Sequence, residues 1–345
     1  MGAPRLILIG SAPSSGSTLL ADLLDSTSFT ACGPELEFFC NRALYDLVAY
    51  KRNPSLKSEL FSPRTTSIFP RYERLHHYGT SKVRWMEMIQ EAQHLEGLIE
   101  RFSSSFLQYR EKPQDGIVFE KTPQNVNAID RWIESSDRAF IFLVRDPLYV
   151  FNSLLNRGWG TYTAFAIWLL YAAKCWKYLD HPNVRVLRLE DLVKEPFVRA
   201  TSLIQLYTKD HLITPDALRQ GFEQNSYRKS ASKKLDTWGI QETAGDIHDP
   251  NAKEVSADRK ALFQGLLGTK VSEEYAQRYG LAAVSMLEAC ERFGYHYSAT
   301  GEAYIPSPSG DEWARFARKS LRGMMEGHGS LFDFITYARA LELSR

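Results

Sequence analysis

The stretch LILIGSAPSSGST (residues 6–18) decides the fold. It opens with the continuous apolar run LILIG, which is typical of a strand buried on both faces of a parallel sheet. Residues 11–16 form a Ser/Gly-rich loop, and an apolar-periodic helix opens at Ser17 and Thr18. A loop between a strand and a helix N-terminus directs backbone N–H groups and the positive end of the helix dipole towards an anion. The stretch therefore predicts a binding site for a phosphate-like group.

This loop departs from the Walker A pattern G-x-x-x-x-G-K-[ST] at two points. Gly10 and Gly16 are one residue too far apart, and Ser17 stands where the lysine belongs. A P-loop kinase would also need a strand that ends directly in an aspartate for magnesium, whereas Arg145 follows the apolar run that ends at Val144. These departures argue against an ordinary NTPase, and a P-loop kinase stays as an alternative.

Two further apolar runs end in basic residues. IVFEKTPQN (117–125) delivers Lys121, and AFIFLVRDPLYVFNSLLN (139–156) carries Arg145 at the end of a strand. Ser153 follows eight residues later, about two turns into the next helix. Because open α/β folds bind ligands at the carboxyl ends of their parallel strands, we expect Lys121, Arg145 and Ser153 to lie near the loop.

The order of apolar runs and helical patterns predicts an α/β fold. We expect a P-loop-type three-layer fold, with helices on both faces of a mostly parallel five-stranded sheet. The predicted strands lie near residues 5–10, 29–32, 117–120, 139–144 and 184–189.

The rest of the chain reads as helical additions to this sheet. Residues 1–300 are predicted to form one domain with a helical insert and lid at 36–115, and residues 301–345 a helical extension that packs on the domain or on a partner subunit. Apolar periodicity predicts helices at 37–51, 82–102, 256–267 and 272–292, and two more within 311–343.

Taken together, the motifs resemble those of the sulfotransferase family, whose members use 3′-phosphoadenosine 5′-phosphosulfate (PAPS). PSSGST (13–18) is similar to the family's 5′-phosphosulfate loop, and VRDPLYVFNS (144–153) is similar to its 3′-phosphate motif. EKTP (120–123) resembles the strand with the catalytic lysine, and VLRLEDLVKEP (186–196) the segment that follows. The resemblance covers about the first 210 residues. It implies metal-free transfer of a sulfuryl group to a hydroxyl, with adenosine 3′,5′-bisphosphate (PAP) as product.

The resemblance also implies roles for individual residues. Lys121 is the predicted stabiliser of the leaving group, and Arg145 and Ser153 are expected to hold the 3′-phosphate. Lys229 and Lys233, in a late basic segment, are further predicted cofactor-binding residues. The predicted 5′-phosphosulfate contacts are Pro13, Ser14, Ser15, Gly16, Ser17 and Thr18.

The catalytic base is predicted from a second resemblance. In the cytosolic branch of the family a histidine lies two residues after the strand lysine, and here that position is Pro123. Cys-Gly-Pro-Glu (32–35) instead resembles the C-G-x-E segment of the tyrosyl-protein and many bacterial branches, which makes Glu35 the predicted base. Its alternative role is that of an acidic residue balancing a helix dipole. Glu37 and the pair His76–His77 are further candidates.

Two departures from the family pattern change what the site must contain. Ser14 replaces the usual basic residue of the loop, so Lys121 or another cation such as Arg42 would have to compensate. Leu189 replaces an aromatic residue, so adenine stacking would have to come from elsewhere, for example from Trp238. A catalytically weak or inactive nucleotide-binding protein on the same fold therefore stays as a second alternative.

The composition and net charge of the chain limit the classes of binding partner that we expect. A formal charge of +1 over 345 residues gives no reason to expect a nucleic-acid partner. No apolar run is long enough for a membrane span, and the four cysteines form neither metal spacing nor a disulfide framework. We expect a cytoplasmic protein, with a homodimer possible, acting on a small-molecule or carbohydrate acceptor that the sequence does not identify.

Overall fold

The computed structural model describes most of the chain. The described residues are 5–52, 72–208, 213–225, 247, 249, 251–299, 303–314, 317 and 337–344. Lys229, Lys233 and Trp238 lie outside the described residues, and so do residues 53–71 of the predicted insert and lid.

A five-stranded parallel sheet forms the centre of the molecule, in the order β2-β3-β1-β4-β5. In the register, Ile9 of β1 lies opposite Lys121 of β3, and Ser11 opposite Leu143 of β4. The end of β1 is therefore flanked by the strands that deliver Lys121 and Arg145. The predicted α/β fold with a parallel five-stranded sheet is confirmed. The strands are β1 (Arg5–Ser11), β2 (Thr30–Cys32), β3 (Ile117–Lys121), β4 (Ala139–Val144) and β5 (Val184–Arg188).

Helices follow most strands and supply the insert. Before β5 they are α1 (Ser17–Leu24), α2 (Leu47–Arg52), α3 (Lys82–Glu91), α4 (Leu95–Tyr109), α5 (Ile129–Trp132), α6 (Pro147–Asn156) and α7 (Thr161–Cys175). After β5 they are α8 (Leu189–Lys194), α9 (Pro196–Gln205), α10 (Pro215–Gln224), α11 (Ala257–Leu266), α12 (Glu273–Tyr279) and α13 (Met286–Arg292). Short 3₁₀ segments occur at Arg42–Tyr45, Tyr72–Tyr78, Pro123–Ala128 and Trp176–Tyr178.

The two faces of the sheet carry separate apolar cores. Leu6 and Leu8 of β1 point into one core and Ile7 and Ile9 into the other, as the alternation of side chains along a strand requires. The first core contains α4–α7, and the second contains α1 and α8–α10. Helix α7 is buried along nearly its whole length, because its sequence is apolar all round.

Four sequence-based helix predictions are wrong in part. The helix predicted at 82–102 is two helices, because the chain is extended at Ala92 and His94 between α3 and α4. Residues 37–41 are not helical, and Glu37 has a positive φ of 61°. The predicted helix at 272–292 is two helices, because Gly280 ends α12 in the left-handed conformation. Leu341–Leu343, predicted as helix, is strand β7 and pairs antiparallel with β6 (Thr269–Val271).

The C-terminal residues pack on the domain itself. The Tyr162 hydroxyl of α7 donates to the backbone carbonyl of Tyr337 at 2.6 Å. The buried Glu312 carboxylate accepts from the backbone N–H of Thr163 at 3.0 Å. It therefore caps helix α7, whose own N-cap residue, Gly160, has no capping side chain. Within the described residues, no helix is both long enough and apolar enough to cross a membrane.

Candidate active site

The loop after β1 has the backbone of an anion cradle. Ser14 and Gly16 both have positive φ, at 69° and 80°. A Cβ atom at Gly16 would lie 2.5 Å from Cδ1 of Leu189, so glycine is required there by conformation and by space. The Leu189 side chain therefore packs directly against the loop at Gly16, and this packing accounts for an aliphatic residue at position 189.

Several polar groups of the loop, including three hydroxyls, are available to bind a ligand. The buried hydroxyl oxygens of Ser11, Ser14 and Ser15 have no hydrogen-bond partner among the described residues. The N-cap residue of helix α1 is Gly16, which has no side chain to cap the first N–H groups of the helix. Buried polar groups are rarely left unpaired in folded proteins. The loop therefore fits a phosphate or sulfate group bound by hydroxyls, backbone N–H groups and the helix dipole.

Arg145 is brought directly against this loop. Its Nη1 atom donates to the carbonyl oxygen of Ser14 at 2.9 Å, and its guanidinium carbon lies 6.0 Å from the ring centre of Tyr149. Burial lowers the pKa of Arg145. The predicted 3′-phosphate residue and the predicted 5′ loop thus share one edge of the sheet.

Ser153 lies on the half-buried side of α6, and Arg157 follows it at helical spacing. Tyr149, Ser153 and Arg157 are four residues apart and are all partly buried, so they share one face of the helix. The positive charge of Arg157 adds to burial in lowering the pKa of Arg145, which places the two cations within electrostatic range. Arg157 is not among the residues predicted from the sequence, although its i, i+4 spacing from Ser153 is a signal for it.

Glu35 and Lys121 form an ion pair across the sheet edge. The Lys121 ammonium donates to Oε1 of Glu35 at 3.0 Å, with the two residues separated by 86 positions in the chain. The side chain of Lys121 is 7% exposed and that of Glu35 is 20% exposed. The two residues predicted to do the chemistry are therefore in contact.

Arg74 is a second cation beside Glu35. Its Nη1 atom donates to the Glu35 carbonyl oxygen at 3.0 Å and lies 3.6 Å from Oε2 of the same residue. The Glu35 carboxylate is thus held between Lys121 and Arg74. The sequence analysis missed Arg74, because it lies in a stretch without periodicity and only the tertiary structure brings it to the site.

The segment that carries Glu35 is held at several points. Tyr78 donates from its hydroxyl to the carbonyl of Pro34 at 2.6 Å, and a Cβ at Gly33 would lie 2.3 Å from the Tyr78 ring. On the other side, Oε1 of the buried Glu120 accepts from the backbone N–H of Leu36 at 3.2 Å. These contacts fix the Glu35 backbone relative to β3.

The other candidates make contacts of their own. Glu37 is buried, with its backbone N–H donating to the Thr122 hydroxyl at 3.2 Å. Arg42 pairs with Asp130, and the rings of His76 and His77 lie 3.8 Å apart. Trp85 and Tyr78 are fully buried core residues. Among the described residues, His, Cys, Asp and Glu side chains form no group of three or more that could hold a metal ion.

A comparison with protein families gives a match over more than half of the chain. A model of the sulfotransferase family matches residues 4–207. No curated protein sequence matches the chain. Similar solved structures include the sulfotransferase domain of the olefin synthase of Synechococcus PCC 7002, which is 17% identical with a TM-score of 0.43 and covers 76% of this chain and 94% of its own.

Two other solved structures have comparable scores. The sulfotransferase domain of the curacin biosynthetic pathway is 19% identical with a TM-score of 0.42, and the match covers 86% of this chain and 100% of that domain. Retinol dehydratase in complex with androsterone and the inactive cofactor PAP is 13% identical with a TM-score of 0.35, with 87% of this chain and 84% of that protein covered.

Proposed function

Because the chain belongs to the sulfotransferase family, we propose that it transfers a sulfuryl group from PAPS to the hydroxyl of a small-molecule or carbohydrate acceptor. The contact between Glu35 and Lys121 beside an anion cradle carries the proposal. The cradle supplies hydroxyl and backbone donors for the 5′-phosphosulfate, and Arg145 and Ser153 are assigned to the 3′-phosphate.

In this proposal Glu35 takes up the proton of the acceptor hydroxyl as its oxygen forms a bond to sulfur. Lys121 moves from Glu35 to the bridging oxygen, where its charge stabilises the electron pair left by the breaking S–O bond. Arg74 keeps its contact with Glu35 while Lys121 turns away. PAPS supplies the activated sulfuryl group, and PAP leaves with the bonding electrons.

The nucleotide half of the proposal can be tested by thermal unfolding. We expect PAP to raise the melting temperature in the presence of EDTA, because a ligand at a hundred times its Kd stabilises the native state by about 2.7 kcal/mol. ATP with magnesium should raise it far less, since the site is assigned to a 3′-phosphate. No shift at millimolar PAP would refute nucleotide binding of this type.

The transfer half needs an acceptor screen. Radiolabelled PAPS would be incubated with pooled phenols, sugars, lipids and peptides, using the Lys121→Ala variant as the matched negative control. Label transfer by the wild type alone would support the proposal. Ser14 supplies no positive charge to the loop, which favours one alternative, a nucleotide-binding protein without transferase activity. PAP binding without label transfer to any pool would favour that alternative.

A further inference from the structure

A pair of tyrosines beyond the family match reaches the turn that carries Arg145. Tyr295 and Tyr297 follow α13, far outside residues 4–207. The Tyr295 hydroxyl donates to Oε2 of Glu190 at 2.8 Å, and the Tyr297 hydroxyl donates to Oδ1 of Asp146. Both acceptors belong to the carboxyl ends of β4 and β5, where the nucleotide site is proposed.

The two carboxylates in turn fix the peptide that follows Arg145. Oε1 of Glu190 accepts the backbone N–H of Asp146 at 2.9 Å. Oδ1 of Asp146 accepts the backbone N–H of Leu148 at 2.9 Å and so caps α6. The carbonyl of Arg145 accepts from the indole N–H of Trp168 at 2.9 Å. The peptide between Arg145 and Asp146 is therefore held at its carbonyl and at its N–H by side chains from other elements.

The tyrosine rings are themselves well supported. The guanidinium of Arg188 lies 4.5 Å from the ring centre of Tyr295, within the range of a cation–π contact. Tyr297 packs against Phe263 of α11 with ring centres 5.3 Å apart. Burial raises the pKa of both hydroxyls, so each keeps the proton that it donates.

We infer that Tyr295 and Tyr297 are positioning residues for Arg145. By holding Arg145 in place, the two tyrosines set the affinity and selectivity of the site for a 3′-phosphate. This inference rests on the proposed function, because it needs the 3′-phosphate at Arg145. A hydroxyl bonded to a carboxylate is a charge-assisted contact, and its geometry is stricter than that of an apolar contact. Loss of either hydroxyl should let the turn at Asp146 shift and move the guanidinium away from its target.

The test compares PAP with adenosine 5′-monophosphate, which lacks the 3′-phosphate, by isothermal titration calorimetry. Tyr295→Phe and Tyr297→Phe keep the rings and remove only the hydroxyls. We expect each variant to lose about tenfold in affinity for PAP, as for a charge-assisted hydrogen bond, with affinity for adenosine 5′-monophosphate changed less than about twofold. Tyr162→Phe is the matched control, because its buried hydroxyl also makes one hydrogen bond but lies on α7.

In a second set of measurements, Tyr295→Phe and Tyr297→Phe are each combined with Arg145→Ala. If the tyrosines act through Arg145, their effect on PAP affinity should disappear there, which is the non-additivity expected of coupled residues. An equal loss for both nucleotides, or a loss that persists without Arg145, would overturn the inference. Failure of the proposed function is distinguishable, since the wild type would then show no preference for PAP over adenosine 5′-monophosphate.

Discussion

At the scale of single residues, the main feature of the proposed site is that Ser14 gives its loop no positive charge, so another residue has to supply it. Ser14 contributes a hydroxyl and a left-handed backbone to the loop but no cation. The described cations nearest to Glu35 are Lys121 and Arg74, and Lys121 alone comes from a strand of the sheet. If the proposed chemistry holds, Lys121 carries most of the charge stabilisation of the leaving group.

We therefore expect Lys121→Ala to lower kcat by about a thousandfold while the Kd for PAP changes far less. The reason is that charge on the bridging oxygen develops mainly in the transition state. Steady-state kinetics and calorimetry on the same preparation measure the two effects, with the exposed Lys177→Ala as control. A mild loss of kcat would indicate that Arg74 does the work assigned to Lys121.

Glu35→Gln tests the base at the same scale. It should slow transfer to acceptors with weakly acidic hydroxyls strongly, and transfer to acidic phenols much less, because a hydroxyl that is already ionised needs no base. The measurement is kcat against acceptor pKa for wild type and variant. A defect of equal size for every acceptor would count against Glu35 as base and in favour of a purely structural role beside Lys121 and Arg74.

At the scale of elements, the insert is attached to the sheet domain through a partly buried ionic cluster. Asp130 of α5 pairs with Arg42 from the insert and, at 3.3 Å, with Lys174 of the buried helix α7. The side chain of Lys174 is only 3% exposed, so its charge depends on this partner. The cluster therefore gives Arg42 a structural role and keeps it from serving as the substitute for the missing loop cation.

Asp130→Asn should destabilise the fold by about 3–5 kcal/mol at neutral pH, because it leaves two cations without their counter-charge. Chemical denaturation measures the loss. Asp180→Asn, which removes an exposed partner of Arg292, is the control and should cost less than about 1 kcal/mol. Equal effects of the two changes would contradict the role given to the cluster.

The free energy of unfolding that Asp130→Asn removes should depend on pH. Burial acts to raise the pKa of Asp130, but the hydrogen bond from Arg42 and the charge of Lys174 outweigh it, so the pKa is lowered. A lowered carboxyl pKa gives stability that is present above the unfolded value, about 3.9, and is lost as the pH falls through the folded value. The stability difference between wild type and Asp130→Asn should therefore shrink below about pH 4.

At the scale of the whole molecule, the described residues after 250 contribute to the same core as the sheet. Tyr337, Ala340 and Leu341 belong to the apolar cluster that contains α4–α7. Strand β7 joins them to β6, and Glu312 caps the buried helix α7. The proposed nucleotide site draws on this late part too, through Tyr295 and Tyr297.

Leu341→Ala should therefore lower the stability of the entire chain by about 2–5 kcal/mol in a single cooperative transition. Leu343→Ala, two residues away on the same strand but 44% exposed, is the matched control and should cost little. Calorimetry measures both. A separate low-temperature transition in the Leu341→Ala variant, with the main transition unmoved, would show that the C-terminal part is energetically independent.

The sequence by itself determined the sheet, the loop and the strand-end residues Lys121 and Arg145. These features are local, since an apolar run, a glycine at a forced turn and an Arg-Asp-Pro break each depend on neighbouring residues. The sheet edge then follows from parallel topology, because all carboxyl ends lie on one side. The family match over residues 4–207 spans the same features.

Only the tertiary structure decided which side chains meet at that edge. Arg74 reaches Glu35, and Tyr295 reaches Glu190, across sequence separations that leave no periodic signal. The same holds for Leu341–Leu343, whose pattern suits a helix in isolation but which pairs as a strand because β6 offers hydrogen-bond partners. The intrinsic helix propensities of most residues differ by only a fraction of a kcal/mol per residue, so burial and pairing with distant elements override them.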